Sequence, residues 1–173
     1  MKRLRGLWPF ALIALAVLVW NYPVYAVSGS IESASGGKVR VLSSHGSVWA
    51  GQMQLGLSDG ARVYAIPEAL AWHLRLGGDA SWLGIEITHP KFVQPLHLGF
   101  TGAGITVSGG ELRMPAAWLG ATGAPFNTIR PEGLLQLSWL EWQSGKSINA
   151  TLKWLDAQSA LASIRPLGEY VIT

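Results

Sequence analysis

Trp72-His73-Leu74-Arg75-Leu76 changes character at every residue, apolar then polar. The same step recurs in Leu96-His97-Leu98-Gly99-Phe100 and in Leu135-Gln136-Leu137-Ser138-Trp139. Successive side chains of an extended strand point to opposite faces, so each stretch presents one apolar and one polar side. A period of two therefore predicts strands with one buried face. Ile148, Ala150, Leu152 and Trp154 continue the pattern, with Asn149, Thr151 and Lys153 outward. Trp72, Trp139 and Trp154 share faces with aliphatic residues and are expected in the core. Glycine and proline punctuate the chain at intervals suited to antiparallel turns.

Helix signals are sparse. Pro115 to Leu119 predicts one turn with proline first, and Asp156 to Ile164 a second, capped by Asp156 and stopped by Pro166. A weak internal repeat marks the strand entrances: Val48-Trp49-Ala50-Gly51-Gln52-Met53-Gln54-Leu55 resembles Val107-Ser108-Gly109-Gly110-Glu111-Leu112-Arg113-Met114, and Gly133-Leu134-Leu135-Gln136-Leu137 repeats its core. The spacing between the three is unequal, which excludes a solenoid of fixed period and favours a meander. Glycine at such entrances suits a tight turn or a close backbone approach.

The N-terminus sets the compartment. Lys2, Arg3 and Arg5 precede an uncharged apolar run from Leu7 to Trp20. Basic residues resist translocation, so residues 1–6 are expected in the cytoplasm and the rest of the chain beyond the membrane. Two readings of the run stay open. Continued through Val27, residues 7–27 form a membrane anchor of roughly 31 Å, with Trp20, Tyr22 and Tyr25 as an interfacial aromatic belt. Alternatively, Val24-Tyr25-Ala26 is a small-x-small cleavage site that releases the remainder. Residues 28–38, which are small and polar, are expected to form a linker, and residues 39–173 a single β domain.

The formal charge of +3 comes from the three basic residues before the apolar run, because the other ten Lys and Arg are balanced by ten Asp and Glu. These later charges are dispersed, so no nucleic-acid footprint appears. With no cysteine, stability rests on packing rather than disulfides. His45, His73, His89 and His97 have no close pair at ligand spacing, so neither a metal nor another cofactor is expected. Gly36-Gly37-Lys38-Val39 lacks the first glycine and the hydroxyl of a P-loop, and Gly102-Ala103-Gly104 lacks the third glycine of a dinucleotide turn. Glu86, Glu111 and Glu141 stand singly and read as solvated strand faces. No catalytic residue is assigned, and the chain is expected not to be an enzyme.

Among the tryptophans, Trp139 and Trp142 differ by three, so in an unbent strand both cannot face one core. Trp142, together with Trp49, is a candidate partner contact.

Gly46-Ser47-Val48-Trp49-Ala50-Gly51 and Ala69-Leu70-Ala71-Trp72-His73-Leu74 resemble the G-x-V-W-x-G and L-x-W-x-L elements of type II secretion system protein N. The resemblance continues in order through Met114-Pro115-Ala116-Ala117-Trp118-Leu119, Gly123-Ala124-Pro125-Phe126-Asn127-Thr128 and Arg130-Pro131-Glu132-Gly133. It ends with Trp154-Leu155-Asp156-Ala157-Gln158-Ser159-Ala160-Leu161 and Arg165-Pro166-Leu167-Gly168-Glu169-Tyr170. It implies a single-pass protein of the Gram-negative inner membrane with a periplasmic β-rich domain, working beside other inner-membrane secretion components in the export of folded proteins. It also leads one to expect further sheet beyond Ile172-Thr173; without it, free edge strands would favour self-association or partner pairing. The expected fold is mainly β, a curved antiparallel sheet or open half-barrel on one N-terminal transmembrane helix. The alternative function is an AsmA-like β-groove that handles lipid on its apolar face.

Overall fold

A computed structural model describes residues 8–78, 81–159, 161 and 168–173. Two helices, α1 (Trp8–Trp20) and α2 (Tyr25–Ala34), precede the strands β1 (Val39–Gly46), β2 (Ala50–Ser58), β3 (Val63–Ala65), β4 (Leu70–Leu76), β5 (Leu83–Thr88), β6 (Leu96–Thr101), β7 (Gly104–Val107) and β8 (Gly110–Pro115). A 3₁₀ helix (Ala116–Thr122) and the short α3 (Phe126–Ile129) lead into β9 (Pro131–Trp139), β10 (Trp142–Gln143), β11 (Ala150–Ser159) and β12 (Tyr170–Ile172). The protein is mainly β and its sheets are antiparallel and not closed into a barrel.

The alternation seen in the sequence becomes cross-strand rows. Leu74, Ile85, Leu98, Val107 and Trp142 lie side by side across five strands of the first sheet, ordered β1-β2-β4-β5-β6-β7-β10 with β3 also on β2. In the second sheet, ordered β12-β11-β9-β8, the rows are Leu112-Leu137-Leu152-Ile172 and Met114-Leu135-Trp154-Tyr170. Direct cross-strand neighbours share a face, so each sheet has one apolar side.

The two sheets are halves of one folded ladder. Val107 pairs with Trp142 and, three residues along on both strands, Gly110 pairs with Trp139, so the register passes the boundary without a shift. Ser108–Gly109 and Leu140–Glu141 form the crease. At this crease the apolar positions change parity on both strands at once, from Val107 to Gly110 and from Trp142 to Trp139. This is how Trp139 and Trp142 both join apolar rows despite their spacing of three.

The weak repeat has a physical basis. Gly51 lies opposite Trp72 and Gly110 opposite Trp139, and a Cβ on either glycine would meet the indole ring, at 2.7 and 2.5 Å. Each ring covers its glycine, and each indole N–H reaches back to a carbonyl just upstream: Trp72 donates to Val48 at 2.9 Å and Trp139 to Ser108 at 2.8 Å. At the third site Trp154 donates to the Glu132 carbonyl at 2.9 Å, immediately before Gly133. Tryptophan thus ties down each of the three strand entrances.

The helix predicted over 7–27 is divided. Its described part stops at Trp20 because the backbone of residues 22–24 is diverted to the β1–β2 turn: Val48 N–H donates to the Tyr22 carbonyl at 2.9 Å, Val24 N–H to the Gly46 carbonyl at 3.3 Å, and Pro23 bridges Ser47. Pro23, lacking an N–H, could not have continued the helical ladder. Among the described residues no helix is long and apolar enough to cross a membrane. The linker expected over 28–38 is helical through Ala34.

The second predicted helix, Asp156 to Ile164, is also replaced. β11 runs through Ser159 and bulges between Leu155 and Gln158, with Asp156 at φ +48° rather than capping a helix. Asp tolerates the left-handed region better than most residues, which serves a bulge as well as a cap. Ala160 and 162–164 lie outside the described residues. The turn predicted at Pro115 to Leu119 is present as the 3₁₀ helix, with Pro115 at its N-cap.

That 3₁₀ helix packs on β9 and β2 and so joins the two sheets. Met53, Ala116, Ala121, Leu135 and Ala157 are buried. On the outside, Glu32 clips α2 to β1: its carboxylate accepts from the Val41 N–H at 3.1 Å and from Arg40 Nη1 at 2.8 Å. The Val41 amide first, and the Arg40 guanidinium second, hold this carboxyl below the usual glutamate value. Because the folded value is depressed, the clip's contribution is complete above the unfolded value and lost as pH falls through the folded one. The Val41 amide resonance should therefore titrate below the ordinary glutamate range, and E32Q should abolish that titration. A Val41 resonance equally pH-dependent in E32Q would show that another group is responsible.

Candidate membrane and partner interface

The sequence Gly46-Ser47-Val48-Trp49-Ala50-Gly51 forms the β1–β2 turn. Gly46 sits at φ +96°, and a Cβ there would lie 2.5 Å from the Ala50 carbonyl oxygen, so both conformation and space call for glycine. The Ser47 N–H donates to the Ala50 carbonyl at 2.9 Å, closing the turn. Trp49 is thereby presented to the end of α1. Its indole N–H donates to the Val19 carbonyl at 2.8 Å and its ring stacks on Trp20, with centroids 6.1 Å apart. Asn21 Nδ2 satisfies the Val17 carbonyl at 2.9 Å. Both carbonyls also accept a backbone N–H, Val17 from Asn21 at 3.0 Å and Val19 from Tyr22 at 3.2 Å, so the side chains add second bonds to the last turn.

The rest of α1 contacts little. Its large apolar side chains, from Trp8 to Trp20, are 48–69% exposed, and they lie on every side of the helix. A helix apolar all round is suited to burial in apolar surroundings, and the β domain does not provide them. Trp49 and Trp142, the candidate partner contacts, are both half-buried. The first is occupied by α1; the second donates its indole N–H to the Lys146 carbonyl at 2.8 Å within its own turn.

On the polar face of the first sheet, register brings together residues that are distant in sequence. Glu86 stands between His73 and His97, with His97 Nε2 at 3.6 Å and Arg75 Nη2 at 3.3 Å. Glu141 lines the same shallow depression. Glu111 pairs with Arg113 at 2.6 Å. Glu86 and His97 show no sign in sequence of meeting, since their contact depends on pairing β5 with β6. Arg75, His97, Arg113 and Glu141 are exposed, whereas Glu86 and Glu111 are part-buried rather than fully solvated, and a surface pair of this kind is worth ~1 kcal/mol or less. Among the described residues, no three of His, Asp and Glu are grouped so as to hold a metal ion.

Among the described residues, two partly open cavities lie between the elements that join the sheets. One, of about 670 Å³, opens between the β2–β3 turn and the segment from Ala117 to Glu132, with Arg62 and Arg130 at its wall. The other, about 130 Å³ and apolar, is lined by Leu55, Leu70 and Leu112 from the two sheets and by Phe92 and Trp118 from the connecting segments. His89 adds a polar atom there: its Nδ1 accepts from the Lys91 N–H at 3.1 Å, while its buried Nε2 has no partner. At the β2–β3 turn the Arg62 and Ala61 N–H groups, at 2.7 and 2.9 Å, hold the Asp59 carboxyl below its usual value.

Comparison of the chain with protein-family models, with curated proteins and with solved structures found no match in any of the three.

Proposed function

We propose that the chain is a component of the type II protein secretion system, anchored in the bacterial inner membrane with its β domain in the periplasm. There it has a non-enzymatic scaffolding or accessory role in exporting folded proteins across the outer membrane, beside other inner-membrane secretion components. The observation that supports this reading is α1, apolar and exposed on all sides yet hydrogen-bonded at one end into the sheet. Whatever receives α1 also fixes the position of the β domain. Its 13 residues rise about 20 Å against an apolar layer of about 30 Å. Lys2, Arg3 and Arg5, with long side chains able to reach the phosphate layer, suit a short, mismatched segment. The ordered resemblance from Gly46 to Tyr170 supplies the secretion assignment.

A second reading, the lipid groove, draws on the 670 Å³ cavity and on apolar rows that remain half-exposed. Photo-crosslinkers at Ala50 and Lys146, exposed neighbours of Trp49 and Trp142, separate the two in cells. The scaffold reading expects adducts with inner-membrane secretion components, and reduced release of folded enzymes when the gene is lost. Phospholipid adducts alone, with normal secretion and a leaky outer membrane, would replace it with the groove.

A further inference from the structure

We propose that the end of the first sheet carrying the β1–β2 and β6–β7 turns, the end of β4 and the start of β5 is a membrane-apposed surface, on which Leu76, Leu83, Phe100, Ile105 and Trp82 rest in the interfacial layer of the phospholipid bilayer. This rests on α1 being the membrane segment.

The register places these residues in one row. Leu76 pairs with Leu83, Leu83 with Phe100, and Phe100 with Ile105, so four apolar side chains project from the same face at the same level. Trp82 packs against Phe100 with centroids 6.0 Å apart. Leu76, Trp82 and Ile105 are 64%, 62% and 40% exposed. An apolar strip left open across four strands calls for an occupant.

The position of α1 identifies that occupant. The helix ends on the β1–β2 turn, and the Leu74 N–H donates to the Trp49 carbonyl in that turn at 2.6 Å. Leu76 lies two residues further along β4, about 7 Å beyond the turn that holds the helix. The strip therefore stands at the end of the sheet from which the apolar helix departs. Trp20, Tyr22 and Tyr25 are exposed at that junction, and Trp82 extends the aromatic set across the sheet end. Aromatic rings with one apolar and one polar edge favour the membrane–water boundary. The β2–β3 turn, Asp59-Gly60-Ala61-Arg62, lies at the other end of β2 and is polar.

The absence of cysteine allows single labels to be introduced directly. Full-length I105C, L76C and, as the distal control, A61C would each carry an environment-sensitive fluorophore. Each would be reconstituted into phosphatidylethanolamine–phosphatidylglycerol vesicles with nitroxide-labelled acyl chains. The proposal expects the protein to float with the vesicles and the labels at 105 and 76 to be quenched about threefold or more above that at 61. Flotation with equal quenching at all three sites would overturn the membrane-apposed surface and leave the anchor standing. Failure to float would overturn both. Shielding of 105 and 76 in native membranes but not in pure lipid would assign the strip to a protein partner instead.

Discussion

W139A is expected to destabilise the protein by about 3–4 kcal/mol, read from the urea midpoint of the full chain in mild detergent. Three losses fall at one place. The ring that covers Gly110 disappears, the edge contact with Phe92 at 6.4 Å is lost, and the Ser108 carbonyl at the crease loses its indole donor. Tryptophan truncations in packed surroundings cost about 3–5 kcal/mol, and the lower part of that range suits a half-buried ring. W82A, at an exposed ring, should cost about 1 kcal/mol or less. A W139A midpoint as close to the parent as that of W82A would mean that the crease is held by other contacts.

G133A is expected to cost about 3 kcal/mol despite adding a single methyl group. Gly133 sits at φ +104°, where an L-residue is strained, and its Cβ would lie 2.5 Å from the carbonyl oxygens of both Leu155 and Asp156. Both obstacles are backbone atoms of the bulged strand, so no side chain can rotate aside. G123A makes the comparison, since Gly123 is also at positive φ, +95°, but has open space around it. G123A should show only the conformational penalty, about 1–2 kcal/mol. Equal losses in the two variants would remove the steric part of the argument.

The strands were legible because a half-buried strand writes its period of two into consecutive residues. The rows built on Trp72, Leu96 and Leu135 follow directly. The crease was half legible. Trp139 and Trp142 break the period, but a break in one strand fits a bulge, a strand end or a fold equally well. Val107 and Gly110 carry the matching break, and only pairing the two strands makes it a crease. The division of the N-terminal helix had a local signal in Pro23, outweighed in reading by the apolar run before it. Asp156 misled because the same short acid suits a helix cap and a left-handed bulge position. In the candidate interface, the aromatic residues of α1 could be read directly, whereas the row from Leu76 to Ile105 exists only through register, as does the Glu86–His97 contact.

The order of the strands bears on how the chain reaches this state. From β1 to β7 each new strand is laid against one already near it in sequence, whereas β8 waits for β9 and β10 returns to β7. Low sequence separation between partners keeps the entropy of loop closure small and favours rapid pairing. As far as β7 such a chain can assemble vectorially, each segment finding its template as it emerges, with the exposed edge advancing one strand at a time. The Gly46–Trp49 turn comes early in that order. The fixture that orients the domain on α1 can thus form before the second sheet, because all its residues precede β8 in the chain.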